Sequence, residues 1–413
     1  MNFADVSPGL RASTRTARAD LTIVGGGGHV GIPLVLAFAE AGFRVNVHDK
    51  DQEVLAALQS GRLPFIEVGG EELLRRALSR NLLIFTSAPS DIAPGAPVIV
   101  TIGTPIDEFL NPVRKVVQDC VDALLPQLVD GQLLVLRSTV YPGTTSWLDT
   151  YLTRKGCKLK VAFCPERVVQ GHGIKELRET PQIISGTTQE ATAEAAKLFS
   201  HVVPELVQVT PEEAEFAKLF NNAYRYIEFA IANQFYLIAK SAGLDYRRVE
   251  HAMKHNYSRA RGIPSPGFAA GPCLFKDTMQ LAAFAQNQFS LGHAAMLVNE
   301  GIVLQLIRSL GERYPLAEMT VGLLGMAFKA DIDDTRASLS YKLKKELLPR
   351  AAMVLTTDPL VKTDPELLSL DEVIARSDLL ILCAPHRAYR ALDFAGKPVL
   401  DIWGALGGAN VIG

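Results

Sequence analysis

The stretch LTIVGGGGHVGIP, residues 21–33, limits what this chain can become more than any other. A short apolar strand runs into four glycines and then into the apolar-periodic segment VGIPLVLAFAEAG, so the backbone must pass from strand to helix within a few residues. The run holds G-x-G-x-x-G as Gly26, Gly28 and Gly31. Gly26 permits the tight turn, Gly28 lets backbone approach a pyrophosphate, and Gly31 allows close packing of helix on strand, while the helix N-terminus offers N–H donors and the positive end of its dipole. FRVNVHD follows as a second strand, and Asp49 ends it, where a carboxylate accepts both ribose hydroxyls of a dinucleotide and repels a 2′-phosphate. These residues point to NAD over NADP, with Lys50 as the neighbouring charge that argues the other way. A glycine run serving only as a turn, with Asp49 a solvated strand-end charge, is the plainer alternative. The register of strand, fingerprint, helix, strand and acid argues against it.

Further β-type runs, APVIVTIG, QLLVLRST and LKVAFCPE, each follow a helical interval and are apolar on both faces, which predicts a doubly wound parallel sheet through about residue 200. The pattern then changes. The segment from Pro211 to Lys240 has no glycine and no internal proline and is apolar at helical spacing, so it predicts one long helix opening at Thr210 that bridges two domains. RGIPSPGFAAGP is too rich in breakers to be regular. From TVGLLGMAFK a second alternating section begins: a helix over 338–349, strand AAMVLTTD, helix DEVIARS, then strands DLLILCAP and PVLDIWG. The fold class expected is α/β. An N-terminal Rossmann domain covers 21–209, a central helical domain with the bridging helix covers 210–315, and a smaller Rossmann-like C-terminal domain covers 316–413, behind a loose tail at 1–20.

Bulk properties exclude other classes. With 48% hydrophobic and 21% charged residues over 413 positions the chain is globular, and it shows no uninterrupted apolar run approaching the roughly 20 residues of a membrane span. A net charge of -2 gives no general attraction to nucleic acid. Cys120, Cys157, Cys164, Cys273 and Cys383 are scattered and odd in number, with no C-x-x-C, which argues against a metal site and against a disulfide framework and suits a reducing cytoplasm. The tail carries Arg11, Arg15 and Arg18 without the apolar segment of a secretory signal; its composition leaves a transit peptide as the alternative.

Two pairs suggest chemistry. Lys218 and Asn222, and Cys273 and Asp277, are each spaced to share one helical face and so to point into one cleft. A helix N-terminus with Lys276 or Lys218 nearby would favour the thiolate of Cys273. An enzyme that only interconverts alcohol and ketone has no use for a thiol, whereas one that carries an alcohol through aldehyde to acid does. The alternative for Cys273, and the reading adopted for the other four cysteines, is a small buried hydrophobe.

Through IVGGGGHVGIP, GTP (Gly103 to Pro105), STVYPGTT, FCPERVVQG, EFAKLFNNAYR, GFAAGPCLFKD and FKADIDDTR, the chain resembles the nucleotide-sugar 6-dehydrogenases, the family of UDP-glucose and UDP-N-acetylhexosamine dehydrogenases, over nearly everything from Leu21 onward. The resemblance implies an NAD-dependent four-electron oxidation of a nucleotide-hexose at C6 to the uronic acid. It makes Cys273 the nucleophile that holds the thiohemiacetal and then the thioester. Lys218 and Asn222 stabilise the oxyanion and orient C6, Asp277 and Thr139 hold the water, and Glu166 is the acid/base for hydrolysis. It places Gly26, Gly28, His29, Val30, Gly31, Asp49, Thr104, Pro105, Ser138, Thr139, Lys276 and Arg336 at the cofactor. Substrate contacts fall to Glu166, Arg167, Lys218, Asn222, Gly267, Phe268, Phe328, Lys329 and Arg259, the last reaching the neighbouring subunit's sugar in a homodimer, with Arg261 its rival. Ala270 stands where the family commonly has glycine, and Asn233-Gln234 where it has Asn-Glu. Tyr224-Arg225 resembles the N-acetylhexosamine branch and GPCLFKD the glucose branch. A two-electron dehydrogenase of the 6-phosphogluconate type and a non-catalytic nucleotide-sugar sensor are the alternatives.

Overall fold

The computed structural model describes residues 19–109, 112–406 and 411–412. Eight strands form one sheet: β1 (Leu21–Val24), β2 (Val45–His48), β3 (Leu83–Thr86), β4 (Val98–Val100), β5 (Leu133–Leu136), β6 (Lys160–Phe163), β7 (Gln182–Gly186) and β8 (Leu206–Gln208), in the order β3-β2-β1-β4-β5-β6-β7-β8. Every residue of β1, β2, β4 and β5 is buried, as strands covered by helices on both faces require. The strand order reverses between β1 and β4, and that switch point opens the crevice into which the glycine loop projects.

One expectation fails here. The sheet is not wholly parallel, because β7 runs antiparallel to β6, pairing Phe163 with Ser185 and Ala162 with Gly186. The chain between them does not cross the sheet face. It is spent on the loop after Phe163 and on the short helix Gly173–Glu179, whose first residue sits so close to Pro33 that a Cβ there would lie 2.8 Å from it. Hence β7 starts beside the end of β6. Strands β3, β7 and β8 were not legible in the apolar pattern: β3 is only half-buried and β8 mostly exposed.

The long helix spans Pro211–Ser241. Thr210 accepts from the Glu213 N–H while the Glu213 carboxylate accepts from the Thr210 N–H, a capping box with proline at the first helical position. Near its start Ala214 packs in the core of the first sheet, and near its end Tyr236 and Ala239 pack with Val321 and Leu323 of the second. Helices Leu274–Phe284 and Ser290–Gly311 lie along it. The latter is long and apolar enough by length and composition to cross a membrane, although Glu300 and Arg308 interrupt its apolar run. Its Ile302, Val303, Leu306, Ile307 and Leu310 are buried in the core shared with the second sheet.

The second sheet, β9 (Thr320–Leu324), β10 (Met353–Thr357), β11 (Leu379–Leu382), β12 (Val399–Leu400) and β13 (Val411–Ile412), is parallel throughout in the order β10-β9-β11-β12-β13. Of the expected tail, Ala19 is buried and Asp20 accepts from the Arg44 N–H, so these two extend the start of β1 beside β2; residues 1–18 lie outside the described residues.

Candidate active site

The glycine loop is built by exclusion. The left-handed turn belongs to Gly25, with φ of 75°, and not to Gly26 as expected. Gly26 is required for another reason, since a Cβ on it would lie 2.8 Å from the Ile23 carbonyl oxygen and 2.9 Å from the Val47 side chain. A Cβ on Gly31 would lie 2.4 Å from the Gly25 oxygen, whereas one on Gly28 would meet nothing nearer than 3.4 Å, leaving its backbone open to an approaching ligand. Helix Gly31–Glu40 follows Val30 with no side-chain cap; the Ile32 N–H already donates to the Gly28 carbonyl and Pro33 has none, so the Gly31 N–H is the helix's own donor toward a phosphate. Asp49 accepts from the Gly27 N–H at 3.0 Å, tying the acid to the loop. A pyrophosphate on the helix and a ribose at Asp49 fit this geometry.

A chain of bonds runs from here to the thiol. Ser138 Oγ donates to the Ile102 carbonyl at 2.5 Å and Thr104 Oγ1 to the Thr139 carbonyl at 2.5 Å, joining the GTP and STV loops. Lys276 Nζ donates to the Thr104 carbonyl at 3.1 Å and pairs with Asp277 Oδ1 at 2.9 Å. Asn222 Nδ2 donates to Asp277 Oδ2 at 2.5 Å. Lys218 and Asn222 lie on the buried face of the long helix, Asp277 is wholly buried, and the Asp277 N–H donates to the Cys273 carbonyl in the first turn of Leu274–Phe284. The two predicted pairs therefore do meet.

Cys273 is the exposed cysteine among the described residues, while Cys164 and Cys383 are buried. Its acidity corrects an expectation. Packing around the sulfur pushes the thiol above its ordinary value, Asp277 adds to this, and Lys218 and Lys276 oppose it without prevailing. The residue keeps an open surface, so the walls of a cleft, not full burial, supply the first effect. The resting group is thus a thiol. Buried Cys164, by contrast, is pushed to about 12.

Glu166 lies just past β6; its carboxylate accepts from the Val168 N–H and its charge reaches Cys273. Arg167 is turned elsewhere, with its guanidinium on the Pro181 carbonyl. The second sheet brings Lys329 Nζ to the Gln170 carbonyl at 3.2 Å and sets the Phe328 ring against Gly271, where a Cβ would come within 2.7 Å of it. Arg336 pairs with Asp334 at 2.6 Å, and Asp334 accepts from Gln170, which also bonds His29 at 3.0 Å. His29 stacks on Phe65, and burial, reinforced by Arg336 and only partly offset by Asp334, lowers it to about 4, so it is neutral in use. Arg259 and Arg261 are both exposed on the Ser258–Ala260 turn and its margin, away from this cluster's bonds.

Other residues prove structural to the site although sequence reasoning gave them no role. Glu215, 1% exposed, accepts from the N–H groups of Gly143 and Thr145 and from the Thr145 hydroxyl, which docks the STVYPGTT loop on the long helix. It stands one turn before Lys218 inside EFAKLFNNAYR, an acid on the same helical face as Lys218 and Asn222 being the signal available. Glu215→Ala strands two buried N–H donors and is expected to destabilise the protein by about 2 to 4 kcal/mol, read as a lower denaturation midpoint at unchanged slope. Asn233 exchanges bonds with the Gly267 N–H (2.8 Å) and carbonyl (3.0 Å), holding the loop that leads to Cys273, while Phe268, expected at the substrate, is buried beside Trp403. Asp358 accepts from the N–H groups of Met326 and Ala327 and from His386 Nε2, fixing the turn that carries Phe328.

Three models of one family cover most of the chain: the UDP-glucose/GDP-mannose dehydrogenase NAD binding domain matches residues 19–203, the central domain 212–301 and the UDP binding domain 322–407. The chain belongs to this family. This dehydrogenase is 30% identical over 378 residues, 88% of its length and 85% of the other's, to the UDP-N-acetyl-D-mannosamine dehydrogenase of Methanococcus maripaludis. It is 28% identical over 391 residues, 89% of its length and 90% of the other's, to an NDP-N-acetyl-D-galactosaminuronic acid dehydrogenase of Ralstonia nicotianae. The solved UDP-glucose dehydrogenase of Pyrobaculum islandicum superposes with a TM-score of 0.85 at 26% identity, covering 96% of each chain. NAD is the cofactor of this dehydrogenase, and the glycine loop, the uncapped helix and Asp49 are the elements that suit it.

Proposed function

We propose that this enzyme oxidises the C6 hydroxymethyl group of a UDP-hexose to a carboxylate in two NAD-dependent steps joined by a thioester on Cys273. What carries the reading is the convergence of an exposed thiol with buried Lys218, Asn222 and Asp277, delivered by two helices to the edge of the dinucleotide crevice. NAD, when bound, would supply one hydride acceptor for each of the two steps, so that two NAD are reduced per sugar. Lys218 and the Asn222 amide face the C6 oxygen and stabilise its negative charge as the hydroxyl proton departs, each preorganised donor contributing on the order of 3 kcal/mol. The thiol of Cys273 adds to the aldehyde carbon, forming the C–S bond as the oxygen takes up a proton. After the second hydride leaves that carbon, water held by Asp277 and Thr139 attacks the thioester, Glu166 takes its proton, and the C–S bond breaks to return the thiol. Lys329 and Phe328 serve the UDP moiety. Most of the relatives named above act on N-acetylated sugars by their names, and Tyr224-Arg225 agrees, which favours a UDP-N-acetylhexosamine over UDP-glucose. The test is a panel of UDP- and dTDP-hexoses with NADH counted per sugar consumed: about two is expected, and a ratio of one, with the aldehyde as product, removes the thioester route.

The working form is a homodimer. Phe220, Tyr224, Ile231, Phe235 and Ile238 form one exposed apolar face of the long helix, with Phe220 at 54% and Ile238 at 55% exposure. A contiguous face of this kind on a buried-core helix suits a second copy related by a twofold axis. Arg259 then reaches the partner's sugar. Mixing two inactive variants, Arg259→Ala and Cys273→Ser, is expected to restore about a quarter of wild-type activity, since half of randomly paired dimers carry one intact site. No restoration in subunit-exchanged mixtures would place Arg259 in its own subunit's site or in none.

A further inference from the structure

Arg137 follows β5 and directly precedes Ser138 and Thr139. Its side chain is only 1% exposed, yet its hydrogen-bond partners are neutral: Nη1 donates to the Cys164 carbonyl at 3.2 Å and to Gln182 Oε1 at 2.9 Å, and the guanidinium lies over the Phe199 ring at 5.3 Å. Nε has no hydrogen-bond partner. Gln182, also buried, donates through Nε2 to the Pro165 carbonyl at 2.8 Å. Cys164 and Pro165 are the two residues before Glu166, and the Glu166 N–H points back to the Arg137 carbonyl at 3.4 Å. Three successive backbone groups leading into Glu166 are thus held by Arg137 and Gln182.

Gln182 reaches this place because β7 is antiparallel to β6, so the start of β7 lies at the end of β6. A parallel β7 in the same place would put Gln182 at the opposite end of the strands, beside the start of β6. Burying a guanidinium among neutral groups is costly and calls for a compensating role. The carboxylate whose charge favours the ionised guanidinium is that of Glu166.

We propose that Arg137, acting with Gln182 through the Cys164–Pro165 backbone, is a positioning residue that aims Glu166 at the acyl-enzyme, so that it serves thioester hydrolysis and neither hydride transfer. This rests on the thioester reading. The reaction it serves is acyl-S-Cys273 plus water giving the free acid and the thiol, with the proton of water passing to Glu166 and no electrons exchanged.

The experiment uses the full-length enzyme with UDP-N-acetylmannosamine and UDP-glucose, followed by rapid-mixing NADH absorbance and by mass spectrometry of acid-quenched protein. Arg137→Met keeps much of the volume and removes charge and donors. It is expected to lower kcat about 100-fold, the scale of a small misplacement of a reacting group, with KM for the sugar within about threefold. A burst of about two NADH per site should precede the slow phase, and Cys273 should carry the acyl mass. Arg137→Lys should recover a large part of kcat, and Gln182→Leu should repeat the burst at smaller cost; if Arg137→Met does not fold, Gln182→Leu decides alone. A burst slowed as much as the steady state, or no acyl mass, overturns the assignment. Glu166→Gln separates the two readings. If it accumulates acyl-enzyme and the Arg137 and Gln182 variants do not, this inference alone is wrong; if it never does, the thioester reading falls and this one with it.

Discussion

Cys273→Ser is expected to lower uronic acid formation by on the order of 10³-fold or more, the scale on which removal of a covalent nucleophile acts. Serine keeps the size of the side chain and its place before helix Leu274–Phe284, so folding and binding should survive. What it loses is sulfur's capacity to add to an aldehyde and then to leave from an ester. NADH released per sugar should therefore fall below two, and no covalent adduct should form. An unchanged rate and ratio would mean that Cys273 is no more than the residue preceding a helix, and that water alone completes the oxidation. Because the exposed thiol is pushed above its ordinary value, the wild-type thiolate is the minor form at neutral pH. Alkylation by iodoacetamide in the free enzyme should accelerate with pH and level off only beyond the ordinary thiol range.

Asp277→Asn should separate reactivity from catalysis. The buried carboxylate is the second cause holding the thiol protonated, after the packing of the cleft, and it also occupies Lys276 at 2.9 Å. Removing its charge takes a negative group from beside the sulfur and frees a positive one, and both changes favour the thiolate. Alkylation of Cys273 at pH 7.5 is therefore expected to speed up several-fold, about one pKa unit's worth at most, while turnover falls about 100-fold or more because the proposed attacking water loses its anionic acceptor and Asn222 keeps only a neutral one. A variant slower in both measurements would show that Asp277 acts on the thiol only through the fold.

Local grammar explains which parts of this molecule were readable in advance. The glycine fingerprint, the Thr210-Pro211 helix start and the second parallel sheet follow from short-range chemistry, and each appears where that chemistry puts it. The meeting of Lys218 and Asn222 with Cys273 and Asp277 was legible because helical spacing fixes a face, although only the fold could join the two helices through Asn222 and Asp277. The direction of β7 was not legible, since a five-residue strand with only Ile183 and Ile184 apolar carries no signal of its orientation. Nor was the state of Cys273: the lysines beside it are visible in the sequence, but the cleft walls that outweigh them are assembled from distant segments. The turn at Gly25 was misassigned within the glycine run because four adjacent glycines do not say which one takes the left-handed conformation.

The helix Pro211–Ser241 works as a ruler. Glu215 grips the first domain, Lys218 and Asn222 face Cys273 and Asp277, Asn233 holds the loop before Cys273, and Tyr236 enters the core of the last domain. From Glu215 to Asn233 the rod measures about 27 Å at a rise of 1.5 Å per residue. A single residue inserted between Asn222 and Asn233 would swing everything downstream by about 100° and unseat the loop from the thiol. Adaptation to sugars of different bulk must then be written in the surrounding loops, while the spacing along this rod stays constant.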